Sequence, residues 1–135
     1  MNAASGPLLA AAVTNAGGIG VIGGLRQTPK ILQETIDELK ANLEDKNAPF
    51  GVDLLIPKVG AGARKTNVGT PPNFQSSKHN ALLSQYDYLK GKLPEIVDII
   101  IKNKAALFVC AVGVPPKEVV DKLHAAGIPV MKFVH

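Results

Sequence analysis

The sequence predicts an α/β fold built on a parallel sheet. Stretches with helical periodicity alternate strictly with short apolar runs of strand length. The order is helix, strand, helix, strand, long loop, helix, strand, helix, strand, which calls for parallel strands joined by right-handed crossovers. The chain of 135 residues is 46% hydrophobic and 19% charged, enough for one packed core and too little for two. Two architectures share this order: an open doubly wound sheet and a (β/α)8 barrel. Alternation alone does not choose between them. A closed barrel normally takes eight strands and about 250 residues.

The first helix runs through the apolar segment Leu8–Ala16, with Pro7 in its first turn. Proline is accepted there because its missing N–H would have no intrahelical acceptor. Gly17 and Gly18 stop the helix. Ile19-Gly20-Val21-Ile22 follows as a buried strand, closed by Gly23 and Gly24. Residues 18–23 also spell G-x-G-x-x-G. A dinucleotide-binding fingerprint must follow a strand and open a helix, whereas these glycines follow a helix and run through a strand.

Thr28-Pro29 supplies an N-cap and first helical residue for a helix over 28–44. Ile31, Leu32, Ile36, Leu39 and Leu43 form its apolar stripe, which reads as core packing. Phe50–Ile56 is the second strand, and Asp53 interrupts its apolar run. A carboxylate inside a buried parallel strand is costly unless it is paired or sits at an open strand end. Residues 57–92 show no period and are rich in Gly, Ala, Lys, Asn, Pro and Ser. A structureless stretch of this length marks a functional loop or an insert.

Leu93–Lys104 is the next amphipathic helix and Ala106–Val112 the third strand. Gly113-Val114-Pro115-Pro116 turns into a helix over 116–126, with Val119, Val120 and Leu123 inward. Gly127 follows as its C′ residue, and His124 lies favourably in the last turn. Ile128–Val134 is the last strand.

The net charge of +4 is mild, but it is unevenly placed. Lys58, Arg64, Lys65, Lys78, Lys90 and Lys92 face one acid, Asp87, within a single window, which reads as a solvated basic loop. Aromatic residues make up 4%, with no Trp, which argues against a stacking platform for nucleic acid. Cys110 is the one cysteine, so no intramolecular disulfide forms and a reducing compartment fits. It reads as a buried, inert thiol within an apolar strand. No run reaches the ~18 apolar residues of a membrane span. The N-terminus lacks the positive charge of a signal peptide, and a soluble cytoplasmic protein is expected.

Four segments carry a resemblance to one family: MNAASGPLLAAAVTNAGGIGVIGG, FGVDLLIPKVGAGARKTN, YDYLKGKLPEIVDIIIKNK and FVCAVGVPPKEVVDKLHAAGIPVM. Together they resemble the N-terminal half of the nitronate monooxygenases (2-nitropropane dioxygenases), especially the fungal type. The resemblance covers nearly all of the chain outside an irregular insert at about 68–85. It implies part of a (β/α)8 barrel, about half of it, with FMN as non-covalent cofactor at the C-terminal strand ends. It implies oxidation of alkyl nitronates with O₂. The cofactor-binding residues it implies are Met1, Asn2, Asp53, Ala111 and Gly113, with Asp53 at the end of its strand and facing the flavin. The glycine-rich run at 17–24 then becomes a helix-to-strand junction whose glycines allow close packing. No nucleic acid, membrane or metal enters this reading.

Two departures qualify what the resemblance implies. The family's catalytic histidine and phosphate-binding glycines come in a segment beyond His135. His79, His124 and His135 do not match that position and read as surface histidines. The segment Val68–Gln85 interrupts a junction that the family makes almost directly. Its eighteen residues begin with Val and end with Gln, which fits the borders of a translated intron. With the family's histidine segment absent and both sheet edges unpaired, residues 1–135 alone are expected to bind FMN weakly or not at all and to lack turnover. The alternatives are a related flavin-dependent enoyl reductase and a non-catalytic α/β remnant using the basic loop as a binding surface.

Overall fold

The computed structural model describes residues 5–24, 28–56, 89 and 91–133, and the fold described here is theirs. The insert at 68–85, nearly all of the basic window, Met1, Asn2, His79 and His135 lie outside the described residues. The elements are α1 (Pro7–Asn15), β1 (Gly20–Gly23), α2 (Pro29–Ala41), β2 (Phe50–Ile56), α3 (Leu93–Lys102), β3 (Leu107–Val112), α4 (Lys117–Ala125) and β4 (Val130–Lys132). All predicted elements form, with most boundaries within two residues. β4 is shorter than expected: Ile128 is buried, but its N–H bonds to Leu123 O and closes α4 instead of joining the sheet.

The strands are all parallel and lie in the order β1-β2-β3-β4. A doubly wound sheet reverses its strand order at a switch point, and this sheet has no reversal. Right-handed crossovers between sequential strands place every helix on one face. The helices accordingly pack as a row, α1 on α2, α2 on α3 and α3 on α4. This is the wall of a (β/α) barrel, so the structure decides the choice that alternation left open.

Burial follows the two faces. Ile22, Val52, Leu54, Phe108 and Cys110 join Ala10, Leu32, Ile36, Leu39, Ile96, Ile100 and Leu123 in one core between sheet and helices. Each fully buried Leu or Ile contributes about 1.5–3 kcal/mol. Thr28 caps α2 as expected, its Oγ1 accepting from Ile31 N at 3.3 Å. Lys46 donates to the carbonyls of Lys40, Ala41 and Leu43 beyond the other end of α2.

Three helices end in Schellman turns. Gly17 and Gly127 take the left-handed C′ position with φ of 91° and 75°. At α3 that position belongs to Lys104, φ 56°. Its N–H bonds to Ile101 O at 3.0 Å, and Ala105 N bonds to Ile100 O at 3.2 Å. The helix therefore ends at Lys102, two residues before the expected Lys104.

At the α1–β1 junction helix and strand backbones come very close. A Cβ on Gly20 would lie 1.9 Å from Ala10 O, so α1 backbone rests directly on the strand. Thr14, buried in α1, ties this junction to the next strand. Its Oγ1 accepts from Gly20 N at 2.9 Å and donates to Pro49 O at 3.1 Å. The glycines at 17–24 thus serve helix termination and close packing, as the resemblance implied. The outer edge of β1 is not bare. Gly23 N donates to Ser5 O at 3.2 Å, and Ser5 Oγ donates to Val21 O.

Candidate functional site

Strand alternation sends side chains to opposite faces. With Val52 and Leu54 in the helix-covered core, Asp53 and Leu55 point to the other face of the sheet. The ladder register brings Gly23 on β1 and Val109 on β3 level with Asp53. Leu55 pairs with Ala111, so Ala111 shares that face one step nearer the C-terminal strand ends. Gly113 lies just beyond, its N–H bonded to Ile56 O at 2.9 Å, which extends the β2–β3 ladder. The structure therefore brings Asp53, Ala111 and Gly113 to one region. Met1 and Asn2 lie outside the described residues.

Asp53 occupies the middle of β2, not its end, because the strand continues through Leu54, Leu55 and Ile56. It is nevertheless level with Gly23, the last residue of β1, so it stands where the shorter neighbouring strand stops. The carboxylate is 7% exposed, and Oδ1 is buried without a hydrogen-bond partner among the described residues. Burial pushes the carboxyl above its ordinary range. Its own carbonyl is satisfied by Gly24 N at 2.7 Å. Gly24 is held close to β2: a Cβ there would meet Leu54 Cδ2 at 2.4 Å.

The rest of this face is apolar. Val21, Leu55, Leu107 and Ala111 are half-buried, and Val109 is buried outside the helix-side core. Leu55 and Val109 were not singled out in the sequence. Period two counted outward from Asp53 would have found Leu55, whereas Val109 needs the β2–β3 register. Cys110 is buried on the helix side, where desolvation pushes its thiol up, opposed by Lys132. His124 is exposed on α4, away from the Asp53 face. Among the described residues, no three His, Cys, Asp or Glu side chains gather as a metal site. No helix among them is long and apolar enough to cross a membrane.

A polar residue buried on the face opposite the helices, near the C-terminal strand ends, is the placement used by enzymes of this architecture. Comparison with known proteins bears on the fold and the family. Two TIM-barrel enzymes superpose well: FabK of Thermotoga maritima, with TM-score 0.64 and 24% identity over 99% of this chain and 32% of that one, and the nitroalkane oxidase of Streptomyces ansochromogenes, with TM-score 0.65 and 21% identity over 95% of this chain and 36% of that one. A Bacillus subtilis protein carried under a nitronate monooxygenase name is 27% identical, matching 90% of this chain and 34% of its own. A Mycobacterium tuberculosis protein carried under a monooxygenase name is 25% identical, matching 84% and 36%. The chain thus spans about a third of the length of these curated relatives. The nitronate monooxygenase family model matches residues 1–135 throughout, and with the barrel-type sheet this places the chain in the nitronate monooxygenase family.

Proposed function

We propose that this chain supplies the N-terminal β/α units of an FMN-dependent oxidoreductase that oxidises alkyl nitronates with O₂. One observation carries the reading: Asp53 is a buried carboxyl with an unpartnered oxygen on the sheet face opposite the helices. A core position of that kind is destabilising in the protein alone. It fits a site completed by a ligand with polar atoms and a flat apolar body, as a flavin has. FMN, when bound, supplies the redox chemistry, and the protein supplies binding, orientation and exclusion of water.

In this reading Asp53 makes the polar contact, and the half-buried Leu55 and Leu107 offer apolar surface beside it. Ala111 keeps its step of the face low, so that a planar ring can approach the sheet. Gly113 lets the chain turn away at the end of the ladder. Met1 and Asn2 complete the set by family resemblance. The substrate is a small nitronate anion.

Fluorescence titration with FMN, carried to millimolar concentration, tests the binding. Nitronate-dependent O₂ uptake tests the reaction in a chain that also carries the family's histidine segment. FMN binding with NADH consumption on an enoyl thioester, and no nitronate oxidation, would replace this activity with that of an enoyl reductase. Absence of FMN binding at every concentration by a chain that also carries the histidine segment would refute the site.

A further inference from the structure

Asp53 raises a question that flavin binding by itself does not answer: which charge state the side chain holds, and so what kind of atom it can face. The groups around it are specific. On β2 its same-face neighbours are Gly51 and Leu55; on β1 they are Val21 and Gly23; on β3 they are Leu107, Val109 and Ala111. None of these side chains can donate a hydrogen bond. Met131 is level with it one strand further on. The titratable groups on the adjoining strands are Cys110 and Lys132, paired with each other in register, and alternation directs both to the opposite face. Among the described residues no Lys, Arg or His forms an ion pair with Asp53.

An ionised carboxylate accepts only, and when buried it needs donors or a cation. The described side chains offer no donor to Oδ1; burial outweighs the N-terminal ammonium of the chain, which favours the ionised form. A protonated carboxyl removes the charge and gains one O–H donor. We propose that Asp53 is a neutral carboxylic acid that donates a hydrogen bond into the site, so that the ligand atom opposite it is an acceptor. A carbonyl oxygen or an imine-type ring nitrogen fits; an ammonium, guanidinium or metal ion does not. Assigning the acceptor to a flavin rests on the function proposed above, since the flavin ring carries both kinds of acceptor. The direction of the burial effect on the carboxyl agrees. Carboxylic acids held neutral in apolar sites act as donors by the same physics elsewhere.

The test uses the whole chain with aspartate carrying ¹³C at the side-chain carboxyl. In wild type, one carboxyl resonance should keep its acid position after the other aspartates have ionised, and Asp53→Asn should lack it. In parallel, FMN affinity is titrated from pH 5 to pH 9. Wild-type affinity should fall roughly tenfold as the donor is lost, and Asp53→Asn, whose amide still donates, should bind with no such dependence. If every aspartate ionises together in the ordinary carboxylate range, the neutral acid is refuted, whatever FMN does. If the acid resonance is present but FMN fails to bind at any pH, even to a chain that also carries the histidine segment, the flavin reading falls, and the acceptor assignment with it. The wild-type series stands on its own if the variant folds poorly.

Discussion

Replacing Gly20 with alanine puts the α1–β1 junction to a direct test. The new Cβ would lie 1.9 Å from Ala10 O, 2.5 Å from Ala10 C and 2.8 Å from Ala10 Cα. All three are backbone atoms, so no rotamer change relieves the clash. The helix must retreat by roughly an ångström to restore a normal contact. Overpacking of this kind costs about 1–3 kcal/mol. The retreat also stretches the Gly20 N to Thr14 Oγ1 bond and the Thr14 link to Pro49 O, now 2.9 Å and 3.1 Å. Each such bond is worth about 1 kcal/mol. The combined loss is about 3–5 kcal/mol, a large share of the ~5–15 kcal/mol that holds a domain folded. Urea unfolding followed by circular dichroism measures it. Gly6→Ala is the control, because a Cβ there meets nothing within 4 Å and its φ of −82° suits any residue. Gly6 is the N-cap of α1, where alanine is the poorer residue, so Gly6→Ala should cost no more than about 1 kcal/mol. A Gly20→Ala midpoint equally close to wild type would show that α1 does not rest on β1 as described.

Lys104→Gly should stabilise the chain by about 1 kcal/mol in the same assay, because a Cβ in the left-handed region is strained and glycine relieves it. Thr14→Val keeps the shape but leaves Gly20 N–H and Pro49 C=O without their side-chain partner, and should cost about 2 kcal/mol. Asp53 gives a pH dependence with a definite sign. Its folded-state pKa is raised by burial, so the native chain holds this proton more tightly than the unfolded one. Stability is then greatest below the ordinary carboxylate range and is lost as pH rises through the raised value. Urea midpoints measured across acidic to neutral pH should fall along that course in wild type, and this component should vanish in Asp53→Asn. A wild-type and variant pair with parallel pH profiles would contradict the burial effect.

Local features were legible because local chemistry produces them. Thr28-Pro29 announces α2 since capping and a missing N–H act within one turn. The glycines at 17 and 127 announce helix ends because a left-handed residue is needed there. The end of α3 carries no such signal, because a lysine takes the position that glycine usually fills, and the amphipathic pattern alone ran two residues past it. Asp53 stood out as a polar break in an apolar strand. Its depth did not, because strand length depends on pairing with β3, which reaches as far as Ile56. Gly20 could not be told from its neighbouring glycines until α1 lay across it.

The sequence by itself determined the alternation of helices and strands, the parallel character of the sheet and most of the α2 stripe that enters its core, Leu32, Ile36, Leu39 and Leu43, whereas Ile31 of that stripe is exposed. It also carried the family, through four segments of matching residues. Alternation left a barrel wall and a doubly wound sheet equally open; the family resemblance pointed to the barrel, and the strand order of the tertiary structure bears that out. Lateral strand order is set by contacts between residues far apart in the chain, and no local period encodes it. The same holds for the candidate site. Asp53, Ala111 and Gly113 are separated by up to sixty residues of chain, and they meet because β2 and β3 pair in one register, with the helices on the opposite face.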